Sequence, residues 1–329
     1  MAARGDPGPG ADDRARDLAG AVSVVIATRD RPAELARTLT RLGRLRPAPP
    51  VIVVDNASRA PATGLHRYPV VHEVVRLSRN LGAAGRNVGV QLAPTRYVAF
   101  SDDDSWWAPG ALPVAARALD QHPALGLVAG HTLVGPAGRP DPVNAALAGS
   151  PLPPGPGTAD LPGPPVLGCL ACATVVRREA YLAVGGFSPL MSVGGEEELL
   201  CYDLAAAGWA RCYLPQAVAH HHPSPRRAAA WRRAAVQRRN RVLVAWLRRP
   251  LPVAAALTTA LVRQAPGDRV ARTALAGLLR RLPAALAARR PLPPAVEAQV
   301  RQLEQRAAGG GAERATDGRP GPSPPGWPW

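Results

Sequence analysis

Residues 100–107 read FSDDDSWW: three carboxylates in a row, preceded by an apolar segment and followed by two tryptophans. Adjacent like charges repel, so Asp102, Asp103 and Asp104 stabilise no fold by themselves. The triplet makes chemical sense if a hard divalent cation is held there, because Mg²⁺ and Mn²⁺ take carboxylate oxygens and bridge to substrate phosphates. The plainer alternative is an acidic turn ahead of a helix beginning near Pro109. Two more polar clusters, Thr28-Arg29-Asp30 and Asp55-Asn56, close apolar runs in the same way. Three such run ends point to a shared site more strongly than any one motif does. Trp106 and Trp107 read either as core or as an apolar wall beside the cation.

Such groups need a scaffold that gathers strand ends. VSVVIA (22–27) is a β-branched run bounded by TRDRP, hence a buried strand, and Pro32 can open the following helix with Asp30 as its cap. VIVVDNAS (51–58) is a second strand, VVHEVVRLSRN (70–80) a third and YVAFSDDD (97–104) a fourth. NLGAAGRNVGVQLA and PGALPVAARALDQHP read as helices between and after them, and LGLVAGHTLVG as another strand. Alternating strand and helix imply an open α/β sheet, largely parallel. In such sheets ligands bind beyond the carboxyl ends of the strands, where these polar clusters fall. Residues 135–165, rich in Pro and Gly, read as a loop dividing two halves.

Charge is distributed unevenly. The chain has no lysine; residues 1–225 hold 20 Arg against 19 acids, and residues 226–329 hold 20 Arg against 5. Such a basic last third suits an anionic partner. It has few aromatics for base stacking and no known binding motif, so nucleic acid is not expected. Within it, Val270, Leu275, Leu278, Leu279, Leu282 and Leu286 fall near one helical stripe that Pro283 would kink. The stripe either packs on the rest of the chain or docks on anionic lipid. The N-terminus lacks an apolar h-region and no uninterrupted apolar run is long enough to span a bilayer, so the expected location is cytoplasmic, with peripheral contact at the inner face of the membrane as an option. Cys169 and Cys172 have the spacing of half a zinc site, but nothing completes it; with Cys201 and Cys212 they read as buried, reduced thiols.

Taken together, VSVVIATRDRP, VIVVDNAS, RNLGAAGRNVG, FSDDD, the GGF–GGEEE stretch and the histidine run at 220–222 resemble the family 2 glycosyltransferases of the GT-A fold, in order and spacing, over roughly residues 21–225. The resemblance implies a nucleotide-sugar donor and Mg²⁺ or Mn²⁺ as cofactor. It makes Asp104 the main metal ligand of an Asp-x-Asp motif, with Asp102 and Asp103 sharing metal and ribose contacts; the metal would stabilise the leaving diphosphate as a Lewis acid. Asp55 matches the acid that accepts from the base N3–H, which suits uracil or thymine, and also guanine N1–H. Thr28 and Arg29 match the base-contacting turn. An aromatic residue often stands where Arg29 does, and a guanidinium plane also stacks on a base. Arg86 is implied at ribose or phosphate. Aligned through the AAAGW end, Glu197 stands where the family has its Asp base. Glu196 is its neighbour, and either can take the acceptor proton as general base. The same acids also read as the first turn of a helix over 196–207. His221 registers with the metal- or phosphate-contacting histidine, while His220 and His222 have no assigned role.

The expectation is an inverting, metal-dependent enzyme that moves a sugar from a UDP- or dTDP-sugar to an acceptor hydroxyl, in cell-surface polysaccharide, glycolipid or natural-product glycosylation. A catalytically inactive nucleotide-sugar-binding protein of the same fold is the rival, because Glu stands for Asp at 197. A nucleotidyltransferase usually has a Gly-rich basic loop after its first strand, which ATRDRP is not. The expected organisation is a disordered leader (1–20), a GT-A domain (21–225) with a nucleotide-sugar half (21–134) and an acceptor half (166–225), a basic helical extension (226–308) and a disordered tail (309–329).

Overall fold

The computed structural model describes residues 20–155, 159–225 and 229–316. Most of the expected leader and tail therefore lies outside the described residues, as does the expected boundary at 226. Four parallel strands form one half of a single sheet: β1 (Val22–Thr28), β2 (Val51–Asp55), β3 (Val71–Arg76) and β4 (Tyr97–Asp102). Their spatial order is β3-β2-β1-β4, so the order reverses between β1 and β4. Beyond β4 the sheet is mixed. β8 (Thr174–Arg177) runs antiparallel to β4 and to β6 (Leu125–Val134). β9 (Ala210–His221) lies parallel to β6, and β5 (Ser105–Trp107) pairs antiparallel with β9. A short β7 (Arg139–Pro140) pairs with β6.

Helices cover both faces. α1 (Pro32–Leu42) buries Leu35, Leu39 and Leu42, spaced one helical turn apart, against one face together with α3 (Ala111–Gln121). Each such leucine contributes about 1.5–3 kcal/mol. Asp30 does not cap α1: it holds a left-handed backbone (φ 56°), and its carboxylate accepts from the Arg59 N–H at 2.7 Å. α2 (Gly85–Leu92), α5 (Arg178–Ala183) and α6 (Glu196–Ala206) cover the other face. Gly89 lets α2 lie close on the sheet, since a Cβ there would meet Val25 Cγ1 at 2.5 Å. This approach carries Arg86, one turn earlier, to the strand ends.

Residues 135–165 are not all loop. α4 (Pro142–Ala148) forms there, started by Pro142 and capped by Asp141, whose carboxylate accepts from the Val143 N–H. The C-terminal extension is a bundle of α7 (Ala230–Arg248), α8 (Leu251–Gln264), α9 (Arg269–Ala287) and α10 (Pro294–Thr316), with a core that also takes in Leu199 and Tyr202 of α6. α10 passes beyond the expected end at 308; a glycine run costs about 1 kcal/mol per residue in a helix but does not forbid one. α9 is one helix with Pro283 inside it. Its packed face is Ala271, Ala274, Gly277, Leu278 and Ala285, so of the leucine stripe Leu278 is fully buried and Leu275 packs at the margin, while Leu279 and Leu286 stay exposed at 56% and 47%. Small residues let this helix approach its neighbours closely, which a count of large apolar residues does not register. Among the described residues no helix is long and apolar enough to cross a membrane.

Candidate active site

The site forms where strand order reverses. Register places Thr28 beside Asp55 and Ala27 beside Asp102, so the three polar strand ends meet at one edge of the sheet. β4 ends at Asp102; Asp103 and Asp104 form the turn into β5.

The three aspartates face different partners. Asp103 is buried and turned inward. It accepts from the Thr28 hydroxyl and from Arg31 Nη1, each at 3.0 Å, and its carbonyl accepts from Thr38 Oγ1 at 2.9 Å. Burial pushes its pKa up to about 6, against the opposing pull of Arg31. The sequence reading gave Asp103 and Thr28 substrate contacts; here they satisfy each other and anchor the turn. Asp102 and Asp104 converge instead with His221. One oxygen of each and a ring nitrogen of His221 lie within 4.8 Å of one another, and among the described residues no other group of His, Cys, Asp and Glu converges so closely. Two hard oxygens and an imidazole are a donor set that fits Mg²⁺ or Mn²⁺.

Strand alternation selects His221 from the three histidines. Successive side chains on β9 point to opposite faces. Ser105 pairs with His221, and Trp106 with His220. His221 Nε2 therefore stands 3.4 Å from Asp104 Oδ1, while Ser105 Oγ, from the paired position, accepts from the Asp102 N–H at 2.7 Å. His220 and His222 turn to the other face and flank Trp106, with ring centroids 5.8 Å and 4.6 Å away. Both are half-buried; partial burial and nearby arginines, Arg41 for His220 and Arg37 then Arg41 for His222, lower their pKa. Trp106 and Trp107 are core residues. Asp104 is fixed further by the Ser224 N–H at 2.8 Å and by the His222 N–H on its carbonyl, while Arg31 Nη1 lies 3.7 Å away. Burial raises its pKa, but His221, Ser224 and Arg31 together hold it below the ordinary aspartate range.

Arg86 joins the two acidic clusters. Its guanidinium pairs with Asp102 and lies in the field of Glu196 and Glu197 at the head of α6. Glu196 is buried, and among the described residues its Oε2 has no hydrogen-bond partner. Burial first, then the neighbouring Glu197 charge, hold its carboxyl well above the ordinary range. Glu197 is half-buried and raised by burial, with a backbone contact from Ala171 and the Arg86 charge opposing. Glu198 faces away and accepts from the Tyr202 hydroxyl at 2.6 Å. Two acids of the run thus face Arg86 and Asp102, and the third serves the C-terminal packing.

Asp55 is buried at the end of β2 and accepts from the N–H groups of Ser58 and Ala62, at 2.8 Å and 3.2 Å. Burial raises its pKa, but these bonds and Arg76 outweigh that and lower it. With the Ser58 side chain as a third donor, a carboxylate's roughly four acceptor positions leave capacity for one more. Arg29 is exposed on the adjoining turn and stands apart from the cluster. Arg31 under the triplet, Ser105 and Ser224, which the sequence does not single out, complete the site together with Asn56 of the second polar run end. Asn56 donates to the Gly82 carbonyl at 2.9 Å and accepts from the Leu81 N–H, so it ties the Asp55 strand end to the Gly-rich turn before Arg86. The four cysteines are buried and free.

Comparison with known proteins agrees with this architecture. Residues 23–185 match the family described as glycosyl transferase family 2. Among solved structures, S. aureus TarS 1–349 is 17% identical, covers 79% of this chain and 71% of its own, and superposes with a TM-score of 0.51. The mannosyltransferase PcManGT from Pyrobaculum calidifontis, in complex with GDP-Man and Mn²⁺, is 18% identical over 90% of this chain and 79% of its own, with a TM-score of 0.52. GalNAc-T7 with UDP, GalNAc and Mn²⁺ is 17% identical over 83% of this chain and 58% of its own, with a TM-score of 0.54. At these identities the likeness is one of fold. No curated protein sequence matches the chain. Residues 23–185 are thus a glycosyl transferase family 2 domain, and the chain that carries it is a glycosyltransferase of the GT-A fold.

Proposed function

We propose that the protein transfers a sugar, with inversion, from a UDP- or dTDP-sugar to an acceptor hydroxyl. The observation that carries this reading is the convergence of Asp102, Asp104 and His221 on one side of Arg86 with Glu196 and Glu197 on the other. The base of the nucleotide meets Asp55 at the end of β2, where the carboxylate keeps room for an N3–H donor. Arg29 stands on the turn beside it, free to lie over the base. Asp102, Asp104 and His221 would hold Mg²⁺ or Mn²⁺, which supplies Lewis-acid stabilisation to the departing diphosphate. The Mn²⁺ in two of the structural relatives supports this donor set. Arg86 presents a fixed positive charge that pairs with Asp102 on the diphosphate side and lies in the field of Glu196 and Glu197 on the other.

Glu196 or Glu197 takes the acceptor proton as the hydroxyl attacks the anomeric carbon. The C1–oxygen bond to the diphosphate breaks as the new glycosidic bond forms, and one displacement inverts the centre. A carboxyl with raised pKa suits this role, because its conjugate base is a stronger proton acceptor near neutral pH. Thr28 and Asp103 act indirectly by holding the turn that aims Asp102 and Asp104. The exposed arginines of α8 and α9, beside exposed Leu251, Val262, Leu279 and Leu286, fit peripheral contact with anionic lipid and hence a lipid-linked acceptor. Calorimetry of UDP, dTDP and GDP with Mn²⁺ tests the donor side. Pyrimidine nucleotides should bind more tightly than GDP, and Asp104→Ala should remove the Mn²⁺-dependent part. Equal binding with and without Asp104 would overturn the reading.

A further inference from the structure

The C-terminal extension reaches the active site from behind α6. Asn240 of α7 is fully buried, and its Nδ2 donates to the carbonyls of Val193 and Gly194 at 3.3 Å and 2.5 Å. Those carbonyls belong to the turn that delivers Glu196 to the first position of α6. The amide is not free to rotate. Its Oδ1 accepts from Arg239 Nε at 2.9 Å and Nη2 at 2.7 Å, and arginine can only donate. Arg239 Nη2 also donates to Ser192 Oγ at 2.9 Å.

The turn needs such support. Gly194 and Gly195 have φ of 86° and 92°, a conformation glycine reaches freely and leaves as freely. α7 lies directly against them: a Cβ on Gly194 would meet Gln237 Cγ at 2.9 Å, and one on Gly195 would meet Asn240 Cβ at 3.4 Å. On its other side, the Ser192 carbonyl accepts from the Ala83 N–H at 3.1 Å, next to the Gly82 carbonyl that Asn56 holds. The turn is therefore pinned between the nucleotide-side strand end and the helical extension.

Arg239 is an unusual residue for a packing role. It is 7% exposed, and among the described residues no carboxylate bridges to it; its donors go to Asn240 and Ser192. Burying a cation without a counter-ion is unfavourable, and an apolar side chain would serve packing better. α9 makes room for it at Gly277, where a Cβ would meet Arg239 Cδ at 2.8 Å.

We propose that Asn240, oriented by Arg239, is the positioning residue for the acids at the head of α6, fixing the 192–195 turn and with it the place of Glu196 and Glu197 against Arg86. The proposal rests on the reading of those acids as the general base. The test compares Asn240→Ala, Arg239→Met and Leu243→Ala, the last removing buried packing from the same helix but none of these hydrogen bonds. Nucleotide release from a UDP-sugar gives kcat and KM, and hydrogen exchange reads the peptide 190–200. Asn240→Ala and Arg239→Met should lower kcat by about 10- to 100-fold with donor KM within about twofold, as expected of a misplaced catalytic group. Exchange should rise in 192–197 selectively. Leu243→Ala should lower the melting temperature but leave kcat within about twofold. Should Asn240→Ala fail to fold, Asn240→Asp, of the same shape and unable to donate, carries the test. Wild-type kcat and wild-type exchange at 192–197 in the Asn240 variants, beside a loss in Glu196→Gln or Glu197→Gln, overturns this proposal alone. Wild-type rates in both glutamine variants overturn the base reading instead.

Discussion

His221 Nε2 lies 3.4 Å from Asp104 Oδ1, although Asp104 belongs to the turn after β4 and His221 closes β9, far along the sequence. The β5–β9 pairing creates this contact and excludes His220 and His222 from it. His221→Ala should weaken Mn²⁺-dependent UDP binding by about 10- to 100-fold, the range for disturbed metal sites. His220→Ala should leave that binding unchanged and cost stability through its contact with Trp106. Calorimetry and thermal melts on the same two variants check both statements. Equal losses of binding would contradict the alternation argument.

Glu196 and Glu197 give a pH signature. A base acts only when ionised, and burial raises both carboxyls from 4.5. The acid limb of kcat should therefore lie above the ordinary glutamate range. Stability carries the same sign. The folded state keeps protons that the unfolded chain has lost, so stability falls as pH rises from 4.5 through the raised value. Glu196→Gln should thus melt higher than wild type at neutral pH and show no gain at pH near 4. At the same time one of Glu196→Gln and Glu197→Gln should cut kcat by about 10²-fold or more with donor binding intact. An acid limb at the ordinary glutamate value would contradict the burial argument.

Asp103 should behave as a structural residue. Asp103→Ala strands the Thr28 hydroxyl and takes from Arg31 its nearer carboxylate, and should cost about 1–3 kcal/mol or more in chemical denaturation. Thr28→Val, which removes one of the two donors, should cost less and leave UDP affinity within about threefold. A selective loss of donor binding in Thr28→Val, with unchanged stability, would return both residues to the substrate side.

Much of the fold was legible because buried parallel strands read as β-branched runs, and the acid triplet stood out because it made no structural sense alone. His221 was chosen on family register, and alternation along β9 supplies the physical reason. Other features were hidden by distance in sequence. Nothing local marks Asp103 as turned inward, since its partners Thr28 and Arg31 come from β1 and the turn after it. Asn240 reads as one polar residue in an arginine-rich helix, and only the packing of α7 on α6 gives it a role. In α9 the leucines stand out in the sequence, whereas only Leu278 among them is fully buried, beside three alanines and Gly277. α4 was masked by the Pro and Gly around it, although Asp141-Pro142 is a legible helix start.

The basic extension should bind anionic lipid in a salt-sensitive way. Arg263, Arg280 and Arg290 are exposed, and each arginine near such a surface contributes about 1 kcal/mol. Replacing the three with serine should weaken flotation with anionic vesicles at low salt while leaving nucleotide release intact. Equal flotation with anionic and neutral vesicles would return α8 and α9 to a packing role.

The central claim is that this cluster catalyses transfer from a pyrimidine-nucleotide sugar. Its most direct test is nucleotide release from a panel of UDP-, dTDP- and GDP-sugars with Mn²⁺, for wild type, Asp104→Ala and the double variant Glu196→Gln/Glu197→Gln. The account predicts release from a UDP- or dTDP-sugar that is lost on chelation and in Asp104→Ala. The double glutamine variant should bind UDP normally and release nucleotide at least about 10²-fold more slowly. Wild-type release in Asp104→Ala, or nucleotide-sugar binding with no turnover in the wild-type protein, would contradict it.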